Sequence, residues 1–94
     1  MIRKEDFEFE RRDDNPLTYW FKITGETKET LTRRYMEQSM TEVTEVAIDM
    51  TDGQWGIKRM FPFNYDVIMP RDNELNEVLQ AVAFEQHRKT IKSN

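Results

Sequence analysis

Residues 72–92 read DNELNEVLQAVAFEQHRKTIK, a run without glycine or proline. At 3.6 residues per turn, Leu75, Val78, Leu79 and Val82 fall in one stripe about 100° wide, with Phe84 and Ile91 on the opposite side. Asp72 or Asn73 supplies an N-cap, and Glu74 and Glu77 sit near the positive end of the helix dipole. His87, Arg88, Lys89 and Lys92 sit near the negative end. Pattern, cap and charge agree on a helix over 72–92. A small domain needs only the first apolar stripe. Burying Phe84 and Ile91 would be worth about 1.5–3 kcal/mol each, so the pair predicts either a helix sandwiched within its own domain or a contact with another chain.

Upstream, the chain reads as strands and turns. Leu17, Tyr19, Phe21 and Ile23 alternate with Thr18, Trp20 and Lys22, the strongest period-two pattern present, and the segment ends at Gly25. Phe7 and Phe9 alternate with Glu8 and Glu10, predicting a short partner strand with one wet face, and Asp13, Asp14, Asn15 and Pro16 predict the turn that joins the two. Residues 27–40 lack Gly and Pro and predict a helix, with Thr27 as N-cap and Leu31, Tyr35, Met36 and Met40 on its buried side. Val43, Val46, Ile48 and Met50 predict a third strand. Asp52-Gly53 is a type I′ hairpin signal leading to a fourth strand over about 54–61, and Phe63, Tyr65, Val67 and Met69 allow a fifth beyond Pro62.

The expected fold is therefore α+β: an antiparallel sheet of four or five strands from two hairpins, element order ββαββα, with the two helices mainly on one face. One domain spans residues 1–94. Six Phe, three Tyr, two Trp and six Met give large side chains for a core. There is no cysteine, hence no disulfide and no thiolate metal site. No apolar run approaches 18 residues and the N-terminus turns acidic where a signal peptide turns apolar, which predicts a cytoplasmic protein with no membrane segment.

Catalytic patterns are sparse. His87 is the only histidine, and its place near a helix C-terminus reads as a solvated residue suited to the dipole. Ser39 and Ser93 lack a G-x-S-x-G setting. Carboxylates are numerous enough for an acid–base pair, so a small enzyme is the third functional reading. The Asp49–Asp52 stretch, with Gly53 nearby, lacks the ligand alternation and closing Glu of a calcium loop, and no phosphate-cradling glycine loop exists, so no metal and no cofactor are expected.

Binding surfaces carry more signal. Trp20 alternates away from Tyr19 and Phe21, so either helices cover both sheet faces or Trp20 is a surface anchor; with Phe84 and Ile91 it forms a second apolar set. Glu45 and Asp49 share a strand face in a region, between Arg34 and Lys58, that holds no basic residue. The leading expectation is a non-enzymatic protein-binding module, an adaptor or inhibitor of the kind a phage or mobile element carries. Its contacts are Trp20, Phe84 and Ile91, with Glu45 and Asp49 orienting, and its partner is another protein or a second copy in a homodimer. The runner-up is nucleic-acid binding through Arg33, Arg34, Lys58 and Arg59, disfavoured by the net charge of −4. Trp20 is also a candidate neighbour for Phe84 within one fold.

Overall fold

The alternation around Tyr19 builds the central strand. β2, Leu17–Ile23, buries Tyr19, Phe21 and Ile23 on one face. It pairs antiparallel with β1, Phe7–Asp14, on one side and with β3, Glu45–Thr51, on the other. The backbone of β4, Gln54–Phe61, pairs antiparallel with β3, so the sheet runs β1-β2-β3-β4. Between β2 and β3 lies α1, Gly25–Met36, and the chain closes with α2, Asn73–Lys92. The computed structural model describes residues 1–14, 17–36, 41–51, 54–61 and 72–92, with side chains described for all of these but 50, 51, 54–56, 58–61, 91 and 92. A strand beyond Pro62 falls outside the described residues.

Register decides which face holds the core. Phe21 pairs with Val46 and Tyr19 with Ile48, so all four project to one side of the pleat. On that side Leu31 of α1 and Leu75, Leu79, Val82 and Ala83 of α2 join them in a single buried cluster. Both helices therefore cover the same face, and the class is α+β. Truncating a leucine in such a cluster costs about 2–5 kcal/mol, against a total stability of about 5–15 kcal/mol for a small domain.

β1 departs from the expected short strand. Phe9 pairs with Phe21 but Arg11 pairs with Trp20, so Glu10 is the extra residue of a β-bulge. The bulge resets the alternation, bringing Arg12 opposite Tyr19 and Asp13 opposite Thr18, and pairing continues through Asp14. Asp13 and Asp14 thus belong to the strand, not to the turn. A bulged, charge-rich edge also discourages pairing with a foreign strand.

The N-terminal residues are pinned by Asp6. Lys4–Asp6 form one 3₁₀ turn, which delivers the buried Asp6 carboxylate to the first turn of α1. There it accepts from the Thr27 amide at 3.1 Å, the Thr27 hydroxyl at 2.8 Å and the Arg3 guanidinium at 3.2 and 3.3 Å. Its own carbonyl accepts from the Thr24 amide at 2.9 Å and the Thr24 hydroxyl at 3.0 Å. α1 consequently starts two residues before the expected position, and its cap is a carboxylate from β1's leader instead of Thr27. Gly25 makes the approach possible: its φ is +59°, and a Cβ there would lie 2.8 Å from an Asp6 oxygen. The expected extension of this helix to residue 40 falls outside the described residues.

The second helix is capped as its sequence implies. Asp72 accepts from the Leu75 amide at 3.0 Å and from Arg34 of α1 at 2.8 Å, and also from the Tyr35 hydroxyl. Arg34 reaches Glu74 as well, at 2.9 Å. One arginine and one tyrosine at the end of α1 therefore tie the start of α2 in place.

Two outcomes follow. Asp6→Ala strands the Thr27 amide and should cost about 2–3 kcal/mol. Arg3, followed by the Thr27 bonds, holds the Asp6 carboxyl below its ordinary value despite burial, so its contribution is full above the unfolded carboxyl value near 3.9 and is lost as pH falls through the folded one. Urea unfolding of wild type and variant across a pH series should show a gap at neutral pH that narrows in acid; a gap independent of pH would contradict the assignment. Gly25→Ala adds both an unfavourable backbone conformation and a clash, and should lower stability by more than about 1 kcal/mol, a fall of about 4–8 °C or more in a thermal melt.

Candidate functional site

Both helices pack on one side of the sheet, and the other face carries a distinct set of side chains, among which Thr18 and Ala47 are buried. Cross-strand rows can be read from register: Glu8, Lys22 and Glu45 form one, Arg11, Trp20 and Ala47 a second, Asp13, Thr18 and Asp49 a third. Trp20 lies half-buried in the middle row. The Arg11 guanidinium stands 4.1 Å from its ring centroid, and its indole N–H donates to Asp13 at 2.9 Å. Trp20 is a sheet residue clamped by two neighbours on β1, and neither described helix packs on its face. Glu45 and Asp49 flank Ala47 on the same face, so Trp20, Glu45 and Asp49 do share one surface.

Phe84 does not join them. α2 packs against the face of Tyr19 and Phe21, and Phe84 is 55% exposed on the far side of α2. Trp20 and Phe84 thus lie on opposite sides of the molecule, which overturns the idea that one covers the other. The Arg88 guanidinium stands 5.9 Å from the Phe84 ring centroid. Ile91 belongs to the backbone of α2; its side chain is outside the described residues. On a helical wheel Glu77, Ala81, Phe84 and Arg88 fall within about 60° of one another, centred about 180° from the core stripe. Ala81 escaped the sequence reading because a single alanine carries little hydropathy signal; the 4-3-4 spacing of 77, 81, 84 and 88 is the pattern that finds it.

His87 is not the solvated residue its position suggested. Its Nδ1 lies 2.7 Å from the hydroxyl of buried Tyr19, with the ring centroids 6.0 Å apart. Arg12 bonds the same hydroxyl, and this bond, followed by the nearby Asp14, holds the Arg12 guanidinium above its usual value. A buried tyrosine is thereby satisfied at the edge of the core, a requirement for phenols taken out of water.

Phe9 also differs from expectation. At the open edge of β1 it remains 43% exposed, with ring centroids 6.0 Å from both Tyr19 and Phe21. It borders a shallow groove of about 440 Å³ between β1 and α2, floored by Phe7, Phe21 and Val82 and rimmed by Lys4 and Glu85. Those two rim residues form an ion pair at 2.7 Å.

The basic residues proposed for nucleic acid separate on inspection. Arg34 is held by Asp72 and Glu74, and these bonds raise its guanidinium above the ordinary value. Arg33 is exposed on α1. Lys58 and Arg59 lie in β4, and their side chains are outside the described residues. The carboxylates around Arg34 and Lys4 are held below their ordinary values. Arg34 lowers Glu74, and Lys4 lowers Glu85. Asp72 is pulled up by burial, but the bonds from Tyr35, the Leu75 amide and Arg34 outweigh it and leave the group lowered. Among the described residues no three His, Asp or Glu side chains gather as metal ligands, and no helix is long and apolar enough to cross a membrane.

Comparison with protein-family models, with curated proteins and with solved structures finds no match to this chain. The functional reading rests on the geometry.

Tyr19→Phe isolates the contribution of the phenol. Because Arg12 and His87 both retain access to water, the expected cost is about 1 kcal/mol, read as a lower urea midpoint with an unchanged slope and displaced NMR signals from the His87 ring. An unaltered midpoint would mean that the hydroxyl contributes nothing to stability.

Proposed function

We propose that this protein is a non-enzymatic protein-binding module whose principal contact is the outer stripe of α2, centred on Phe84. The observation that carries the reading is the 55% exposure of Phe84 on the side of α2 turned away from the core. An isolated exposed hydrophobe is ordinary. Phe84 differs in its setting: it lies near the middle of a 20-residue helix whose other face closes the core, so it is presented on a rigid element. Aromatic side chains on rigid elements lose little entropy on docking and bury a large area, which is why they serve as interface anchors.

Trp20 contributes a secondary surface on the opposite side, with Glu45 and Asp49 orienting an approaching partner by charge. Its clamp by Arg11 and Asp13 holds the indole in place on the sheet.

A photo-crosslinking phenylalanine analogue incorporated in place of Phe84 in cells tests the reading, with adducts identified by mass spectrometry. A covalent adduct to protein, competed away by the unmodified chain, is the expected result; absence of any adduct would overturn it. Phe84→Ser should leave stability within about 0.5 kcal/mol of wild type, as an exposed position does, and abolish capture of the crosslinked protein.

A further inference from the structure

Building on that reading, we infer that the occupant of the α2 stripe is a second copy of this chain, docked antiparallel about a two-fold axis that passes between Val82 and Ala83. The inference rests on the self-complementarity of the stripe. An isologous contact requires each residue to meet a fitting residue of the same patch. Under this axis Phe84 meets the partner's Ala81, and Glu77 meets the partner's Arg88, each contact occurring twice.

Shape and charge agree independently. Ala81 is the small residue beside the aromatic one, so Phe84 enters as a knob where the facing backbone can come close. The 4-3-4 spacing of Glu77, Ala81, Phe84 and Arg88 is that of a short heptad seam, the pattern by which two helices stay in register over several turns. Glu77 and Arg88 are both exposed, and neither forms an ion pair among the described residues. A parallel arrangement would instead set Glu77 beside Glu77 and Arg88 beside Arg88, so the charges select the antiparallel one. The core stripe lies on the other side of α2, hence dimerisation disturbs neither core.

A seam provided by one helix per protomer is small, which predicts a dimer that dissociates on dilution. Sedimentation equilibrium of the full chain, from micromolar to millimolar concentration, tests this with wild type and three charge variants: Glu77→Arg, Arg88→Glu and the double reversal. Each single reversal creates two like-charge contacts and should weaken the dimer about tenfold, the scale of two exposed pairs changing sign, while the double reversal should restore it to within about threefold. Thermal melts of the exposed variants confirm that each remains folded. A wild-type chain that stays monomeric at millimolar concentration overturns the inference, as does a dimer indifferent to both single reversals. The crosslink at Phe84 separates this from the broader reading: an adduct to a different protein alone sinks self-pairing and leaves the binding module standing, whereas no adduct together with a monomer removes both.

Discussion

The buried carboxylate of Asp6 is the constraint on which the rest of the structure depends. It lies between the N-terminal leader and the first turn of α1, and it accepts hydrogen bonds from both. An unfilled helix N-terminus facing the protein interior would leave backbone amides without partners, a cost that few kcal/mol of net stability could absorb. Because Asp6 immediately precedes β1, capping α1 also fixes where β1 begins. The Thr24 amide and hydroxyl close the same knot from β2's end through the Asp6 carbonyl. Edge strand, central strand and first helix are thus joined at one residue. Gly25, at a positive φ, is the only residue type that fits so close to the carboxylate.

From that knot the arrangement propagates to α2. Its own start is fixed from α1, by Arg34 and Tyr35 on Asp72, and by Glu74, which receives the Ile2 amide at 3.4 Å. The N-terminal leader therefore touches both helices. Near its other end α2 is held by Lys4 on Glu85 and by His87 on Tyr19. With the helix anchored along its length, the orientation of its outer stripe is set by the fold. A rigidly displayed Phe84 follows from this anchoring, and an interface built on it carries little ordering cost.

What the sequence made legible, and what it did not, divides by distance along the chain. The terminal helix was readable because its periodicity, its Asp72 cap and its charge gradient all lie within one segment. The alternation of β2 was equally local, and it placed Trp20 correctly on the face away from Tyr19 and Phe21. The start of α1 was not readable: the cap comes from Asp6, 21 residues before Thr27, and no local pattern marks a carboxylate as a distant cap. The Glu10 bulge was hidden for a similar reason, since a bulge is a property of two paired strands. His87 was misjudged because a helix C-terminus attracts histidines through the dipole, and the competing bond to Tyr19 comes from a strand far away in sequence. Of the candidate contact residues, Trp20, Glu45 and Asp49 share one surface and Phe84 occupies another, a separation that follows from both helices lying on a single face.

The central claim is that α2 has two working faces, one closing the core and the other pairing with a second copy of the chain. Backbone NMR spectra of the chain recorded across a concentration series address it directly. The account predicts concentration-dependent shifts at Glu77, Ala81, Phe84 and Arg88, with Leu75, Leu79 and the sheet residues around Trp20 unmoved. Shifts confined to the Trp20 face, or none at millimolar concentration, would contradict it.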